Sequence, residues 1–255
     1  MAFSNGYTLG FAGAICVVCS IGVAGASLGL KPLQDANKKR EFQTSILTAV
    51  GLGEEAGKAE DVGALYGERI AEVYVDDAGA VLDESADKDG NQVLDYEDVK
   101  AARKQVKGTP EKPGIYPVFQ RKDGTSVGAY AFEMQGKGLW GPIKGYLALK
   151  PDARTVMGAT FDAPKETPGL GAEIMYAKFT EQWVGKRIVN DAGGITPIRV
   201  VKGSAELMCQ DSPQHCVDGV SGATITSDGV TYMVEDALKD VYKNYLQQIQ
   251  SGTGG

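Results

Sequence analysis

Histidine is almost missing from this 255-residue chain. There is one, His215, and there are only two tryptophans. A Ser-His-Asp or Cys-His hydrolase arrangement therefore has a single imidazole to draw on, and His215, inside the loop "CQDSPQHC", reads as a solvated side chain. Basic residues are in deficit as well, with 26 Lys and Arg against 33 Asp and Glu and a net charge of −7. That balance, with no basic stripe interleaved with aromatics, excludes a nucleic-acid partner. No Gly-x-Gly-x-x-Gly follows a strand and opens a helix, so nothing argues for a nicotinamide dinucleotide bound directly to this chain.

Charge is absent altogether from Tyr7 to Leu30, "YTLGFAGAICVVCSIGVAGASLGL". As a helix that run spans roughly 36 Å, enough to cross a bilayer with some tilt. A cleaved signal peptide is the rival, but the apolar stretch is too long and no positive residue precedes it. Small residues recur at four-residue steps (Gly6 and Gly10, Gly22 and Ala26, Gly25 and Gly29). Small residues let backbones approach in lipid, so the helix is expected to pack against other subunits. Lys31, Lys38, Lys39 and Arg40 follow it. The positive-inside rule would put the soluble part in the cytoplasm, although that rule is weakest for large domains.

The four cysteines form two pairs. Cys16 and Cys19 lie in the apolar helix and read as small apolar residues there, since one CxxC supplies only half an iron–sulfur ligand set. Cys209 and Cys216 close a short loop, which would be a disulfide in an oxidising compartment and two thiols in a reducing one.

Beyond the helix, residues 31–52 read as a charged stalk and linker helix, and 59–70 as a second helix. Strand character begins at "AEVYVDDAGAVLD", a hairpin turning at Asp76 to Gly79. "IYPVFQRKDGTSVGAYAFEM" alternates on both sides of Lys-Asp-Gly, "IKGYLALKPDARTVMGATFD" turns at Pro151 and Asp152, and "ITPIRVVK" (195–202) is a further strand. Val230, Met233, Val234, Ala237, Leu238, Val241, Tyr242, Tyr245 and Leu246 mark one apolar face of a final helix. The expected fold is α+β: one transmembrane helix (1–30), then residues 31–52, then a soluble domain over 53–250 with an antiparallel sheet packed by helices, and a disordered tail, 251–255.

Within that domain, about 83–105, lies an insertion. "DKDGNQVLDYED" resembles a calcium loop, with Asp87, Asp89, Asn91, Asp95 and Asp98 at the ligand positions 1, 3, 5, 9 and 12. Gln92 stands where a Gly makes the sharp turn, and Asp98 where a bidentate Glu is usual. A membrane-anchored Ca²⁺-binding protein without enzymatic activity is therefore one alternative for the whole chain.

The stretch "DGVSGATITSDG" (218–229) crowds glycines and the hydroxyls of Ser221, Thr224, Thr226 and Ser227 against the start of the last helix. Glycines let a backbone approach a bulky group, and a helix start offers free N–H groups and a positive dipole end to a phosphate. A plain capping turn is the alternative. The string Asp218 to Thr224 resembles the flavinylation motif of the FMN-binding domains of membrane respiratory complexes. "ETPGLGAEI" (166–174) and "GKGLWGPIKGYLAL" (136–149) resemble that family's other turns, in the same order. The overall pattern fits best with the C subunit of the Na⁺-translocating NADH:quinone oxidoreductase, with the related G subunit of the Rnf complex as the alternative.

The resemblance implies an electron-transfer subunit of a membrane complex, with FMN joined to Thr224 as a phosphoester by a separate flavin transferase. Ser221, Gly222 and Ala223 would form the turn that exposes that hydroxyl, and Asp218 takes the motif's acidic position. Thr226 and Ser227 are candidates for hydrogen bonds to the phosphate. Thr167, Gly169, Leu170 and Gly171 are candidates for contacts to the ring, and Leu139 and Trp140 for the mouth of the pocket. Partners would be the other redox and membrane subunits of the complex. The location implied is the bacterial inner membrane, with the soluble domain on the periplasmic side.

Overall fold

The computed structural model describes residues 5–82 and 114–252. The calcium-like loop, Asp87 to Asp98, lies outside the described residues. Among the described ones no group of three or more His, Cys, Asp or Glu side chains is placed to hold a metal ion. The chain divides into two units, Met1–Phe42 and Gln43–Gly255.

The first unit is helical. Helix α1 runs from Asn5 to Ala49 with Pro32 inside it, so the expected stalk and linker are continuous with the apolar helix. Every residue from 5 to 41 is exposed, including Leu9 at 73% and Val23 at 71%. The helix is long and apolar enough to cross a membrane.

The second unit begins with the end of α1, where Ile46, Leu47 and Ala49 are fully buried. Two short helices follow, α2 (Gly53–Lys58) and α3 (Val62–Arg69). Asp61 starts α3 by accepting from the N–H groups of Gly63 and Ala64 at 2.8 and 3.1 Å. Five strands then form an antiparallel meander in chain order: β1 (Ile70–Val75), β2 (Tyr116–Asp123), β3 (Ser126–Lys137), β4 (Pro142–Leu149) and β5 (Val156–Asp162).

The register explains the two faces. Val118, Phe132, Leu147 and Ala159 share one row across the sheet; Phe119, Ala131, Ala148 and Gly158 share the next. The second row narrows to small residues because the end of α1 lies on it: Thr160 Oγ1 donates to the Ser45 carbonyl at 3.3 Å, and Ala49 packs against Gly158. The first row faces the C-terminal helices, α6 (Thr224–Asp236) and α7 (Lys243–Ser251), joined through a π turn, Ala237–Val241. Met233 closes on Gly136, the Tyr242 ring lies 4.9 Å from that of Phe132, and the Tyr242 hydroxyl donates to the Pro117 carbonyl at 2.9 Å. A sheet covered on both faces accounts for seven consecutive buried residues, Gly128 to Met134, in its central strand.

Between β5 and α6 the chain builds a smaller layer. It holds the short helices α4 (Ala177–Thr180) and α5 (Ala205–Met208) and a parallel pair, β6 (Arg199–Val201) with β7 (Cys216–Asp218). Phe161, Phe179 and Trp183 form an aromatic cluster with centroids 5.3–6.1 Å apart. Cys209 and Cys216 are joined as a disulfide, while Cys16 and Cys19 are free.

Several expectations shift. The turn at Asp76 forms, its carboxylate accepting from the N–H groups of Ala78 and Ala80, and among the described residues the return strand is one bridge, Val75 with Val81. The strand expected over 195–202 is confined to Arg199–Val201, because its partner β7 is only three residues long. The last helix starts at Thr224, ahead of the apolar face that begins with Val230. His215 is buried rather than solvated, with Nδ1 2.7 Å from the Arg187 carbonyl.

Candidate functional site

The start of α6 carries the four hydroxyls. The residue before it, Ala223, has no side-chain oxygen to offer the helix, so the first N–H groups of α6 lack a side-chain cap. Thr224 opens the helix and is exposed. Thr226 is 1% exposed and donates to Glu166 Oε2 at 2.6 Å; Ser227 is 4% exposed, and its Oγ accepts from the Val220 N–H at 3.3 Å. Ser221 is exposed in the turn. Of the four hydroxyls, then, only those of Ser221 and Thr224 belong to residues open to solvent.

Gly222 holds φ +76°, a backbone conformation that favours glycine, and a Cβ there would meet Leu170 Cδ2 at 2.8 Å. This contact brings the turn 167–171 against the 221–224 turn. Within 167–171, the Thr167 carbonyl accepts from the N–H groups of Leu170 and Ala172 at 3.1 and 3.2 Å, and Gly169 N–H donates to Glu173 Oε1 at 3.1 Å. Thr167, Gly169 and Leu170 are exposed and Gly171 is buried.

The third segment, between β3 and β4, is closed by the Gly138 N–H donating to the Gly141 carbonyl at 2.8 Å. Leu139 and Trp140 stand out from it, 49% and 66% exposed. The backbone N–H of Trp140 donates to Glu166 Oε1 at 2.7 Å. The structure thus brings together all three segments singled out in the sequence.

Asp218 is the exception. Its Oδ1 accepts from the Ala205 N–H at 2.7 Å, and its own N–H donates to Gln182 Oε1 at 2.7 Å. It ties β7 to α5 and the Glu181–Trp183 turn. The nearby Lys186 ammonium is held below its usual pKa by burial, which the charge of Asp218 partly offsets. Glu166 escaped the sequence reading as a functional residue, although it opens the string "ETPGLGAEI". No local signal marked it: the two glycines that make room for its carboxylate, Gly138 and Gly171, meet it only in the fold.

An exposed hydroxyl on an uncapped helix start offers a tether and N–H donors to a phosphate. Exposed Leu139, Trp140 and Leu170 offer apolar surface to a flat ring. The residues present fit a flavin nucleotide. The family model described as "FMN-binding domain" matches residues 138–239, which contain every element of this site. The C subunit of the Na⁺-translocating NADH-quinone reductase from Pseudomonas aeruginosa is 36% identical over 252 residues, covering 93% of each chain. Its counterpart from Vibrio parahaemolyticus is 35% identical over 96% of this chain and 95% of its own. Among solved structures, the corresponding protein from Parabacteroides distasonis superposes with a TM-score of 0.65 at 30% identity, over 85% of this chain and 96% of that one. Shewanella oneidensis NqrC gives 0.69 at 28% identity, over 84% and 99%. The chain belongs to the NqrC family, the C subunits of the Na⁺-translocating NADH-quinone reductase.

Proposed function

We propose that this chain is the electron-transfer subunit of a Na⁺-pumping NADH:quinone oxidoreductase complex, and that FMN is joined to it by a phosphoester at Thr224. The observation that carries the attachment is the sorting of hydroxyls. Thr224 is exposed at an uncapped helix start, whereas Thr226 and Ser227 are buried and already hydrogen-bonded. When bound, FMN supplies the electron-accepting and electron-donating chemistry, and the protein supplies position and environment. The N–H groups at the start of α6 would hold the phosphate, and Leu139, Trp140 and Leu170 would shield the ring from water. A separate flavin transferase reaches Thr224 from solvent.

Electrons arrive from, and leave to, redox centres on other subunits of the complex, which α1 anchors in the inner membrane. The soluble unit faces the periplasm on this reading, supported by the Cys209–Cys216 disulfide, a bond suited to an oxidising compartment. The ligand spacing of Asp87 to Asp98 supports Ca²⁺ at that loop as a separate proposal. Calorimetry with and without chelator tests it, and an Asp87→Ala variant whose melting matches wild type under both conditions refutes it.

The attachment is tested by producing the protein with its flavin transferase and comparing Thr224→Ala with Ser221→Ala and Thr226→Ala. The flavin should be absent from the first and survive denaturation in the other two. A flavin retained by Thr224→Ala refutes the assignment.

A further inference from the structure

We infer that Glu166 is the positioning residue of the flavin site, a buried carboxylate that clamps the Gly138–Gly141 turn and the 167–171 turn onto the first turn of α6. This rests on the reading of those segments as the FMN site.

Glu166 is 5% exposed. Its two oxygens take one donor each from two distant parts of the chain, Oε1 from the Trp140 backbone N–H at 2.7 Å and Oε2 from the Thr226 hydroxyl at 2.6 Å. Its own backbone N–H donates to the Ala163 carbonyl at 3.0 Å, which fixes the root of the side chain. Two glycines make room for it. A Cβ at Gly138 would stand 2.6 Å from Oε1, and one at Gly171 would run into Oε2 and come within 2.8 Å of Thr226 Oγ1. Any side chain at either place displaces the carboxylate.

Burying a carboxylate is costly, and a hydrocarbon of similar volume would hold the same segments with less desolvation. What the carboxylate adds is direction. It fixes where the Trp140 N–H and the Thr226 hydroxyl point, and so where Leu139 and Trp140 stand relative to the attachment helix. The exposed Thr224 hydroxyl takes no part in this clamp. Attachment of FMN and orientation of its ring are therefore separable: the clamp governs the second.

The test uses the full-length protein made with its flavin transferase, as wild type, Glu166→Ala and Glu166→Gln. Three readings are taken: flavin mass on the Thr224 peptide, fluorescence anisotropy of the attached flavin, and hydrogen exchange of the Trp140 amide. Glu166→Ala should keep the label but lose about half its anisotropy, as the ring gains ns motion. Its Trp140 amide should exchange roughly 10- to 100-fold faster, the loss expected for a hydrogen bond to a charged acceptor. Glu166→Gln should restore both, because its amide oxygen can accept from Trp140 and its NH₂ can donate to the Thr226 oxygen. Wild-type anisotropy and protection in Glu166→Ala overturn the inference, as does a Gln variant no better than Ala. If wild type carries no flavin at Thr224, the attachment reading falls, and Trp140 exchange alone still decides the clamp. If Glu166→Ala does not fold, Thr226→Val, which removes one donor, takes its place in the comparison.

Discussion

At the scale of single residues, burial separates hydroxyls that look alike in sequence. Thr226→Ala should retain the flavin label yet destabilise the protein by about 1–3 kcal/mol, because it strips a donor from a buried carboxylate. Chemical denaturation of the labelled protein checks this. Gly222→Ala should cost about 1–2 kcal/mol in the same measurement, since an L side chain is placed at φ +76° and pressed on Leu170. The glycine turn and helix start around Thr224 were legible because both are local features, while the choice of Thr224 among the hydroxyls came from motif resemblance. Glu166 was not legible, since its partners Trp140 and Thr226 lie 26 and 60 residues away and no spacing rule links them. Asp218 sat in the right string, yet its carboxylate serves α5, which only the fold reveals.

At the scale of elements, the disulfide closes the loop that leads through β7 into the turn before α6. Replacing both Cys209 and Cys216 by Ser should lower stability by about 2.5 kcal/mol on the chain-entropy account, read as a loss in denaturant midpoint. A second device at this scale is Arg121 on β2. Its Nη1 donates to the Val50 carbonyl just past the end of α1 at 2.7 Å, and its Nη2 pairs with Asp123 at 2.7 Å. The hydrogen bond from Arg121 holds the Asp123 carboxyl below its usual pKa, against a smaller opposing effect of burial. A depressed pKa means that the pair stabilises the fold above the ordinary carboxylate range and is lost as pH falls through the folded value. Asp123→Asn should therefore lower Tm near pH 7, and the difference from wild type should shrink as pH falls below the ordinary carboxylate range. The meander's paired hairpins were legible because two-residue alternation and Lys-Asp-Gly are strong local signals. The short parallel pair β6 and β7 was not. Three-residue strands carry no period, and their pairing depends on packing of β6 against α6 and of β7 against the Glu181–Trp183 turn. The break between α6 and α7 was hidden for a related reason: a π turn preserves the run of buried residues while shifting its phase.

At the scale of the whole molecule, the apolar helix was the plainest feature of the sequence, and the structure leaves its side chains from Asn5 to Glu41 uncovered by protein. Removal of residues 2–42 should move the protein from the membrane pellet to the supernatant, with the buried end of α1, Ile46 to Ala49, still in place. Membership in a sodium-pumping complex was not readable from charge, period or spacing. It came through resemblance and is carried by relatives aligned over nearly the full length. The central claim is the bond between FMN and Thr224. Trypsin should release Gly203–Lys239 as one peptide, since no Lys or Arg interrupts it, and that peptide holds Ser221, Thr224, Thr226 and Ser227 together. Mass spectrometry of this peptide from native membranes, with fragmentation across residues 221–227, should find one FMN phosphoryl group on Thr224. An unmodified peptide, or the group on any other of the four hydroxyls, would contradict the account.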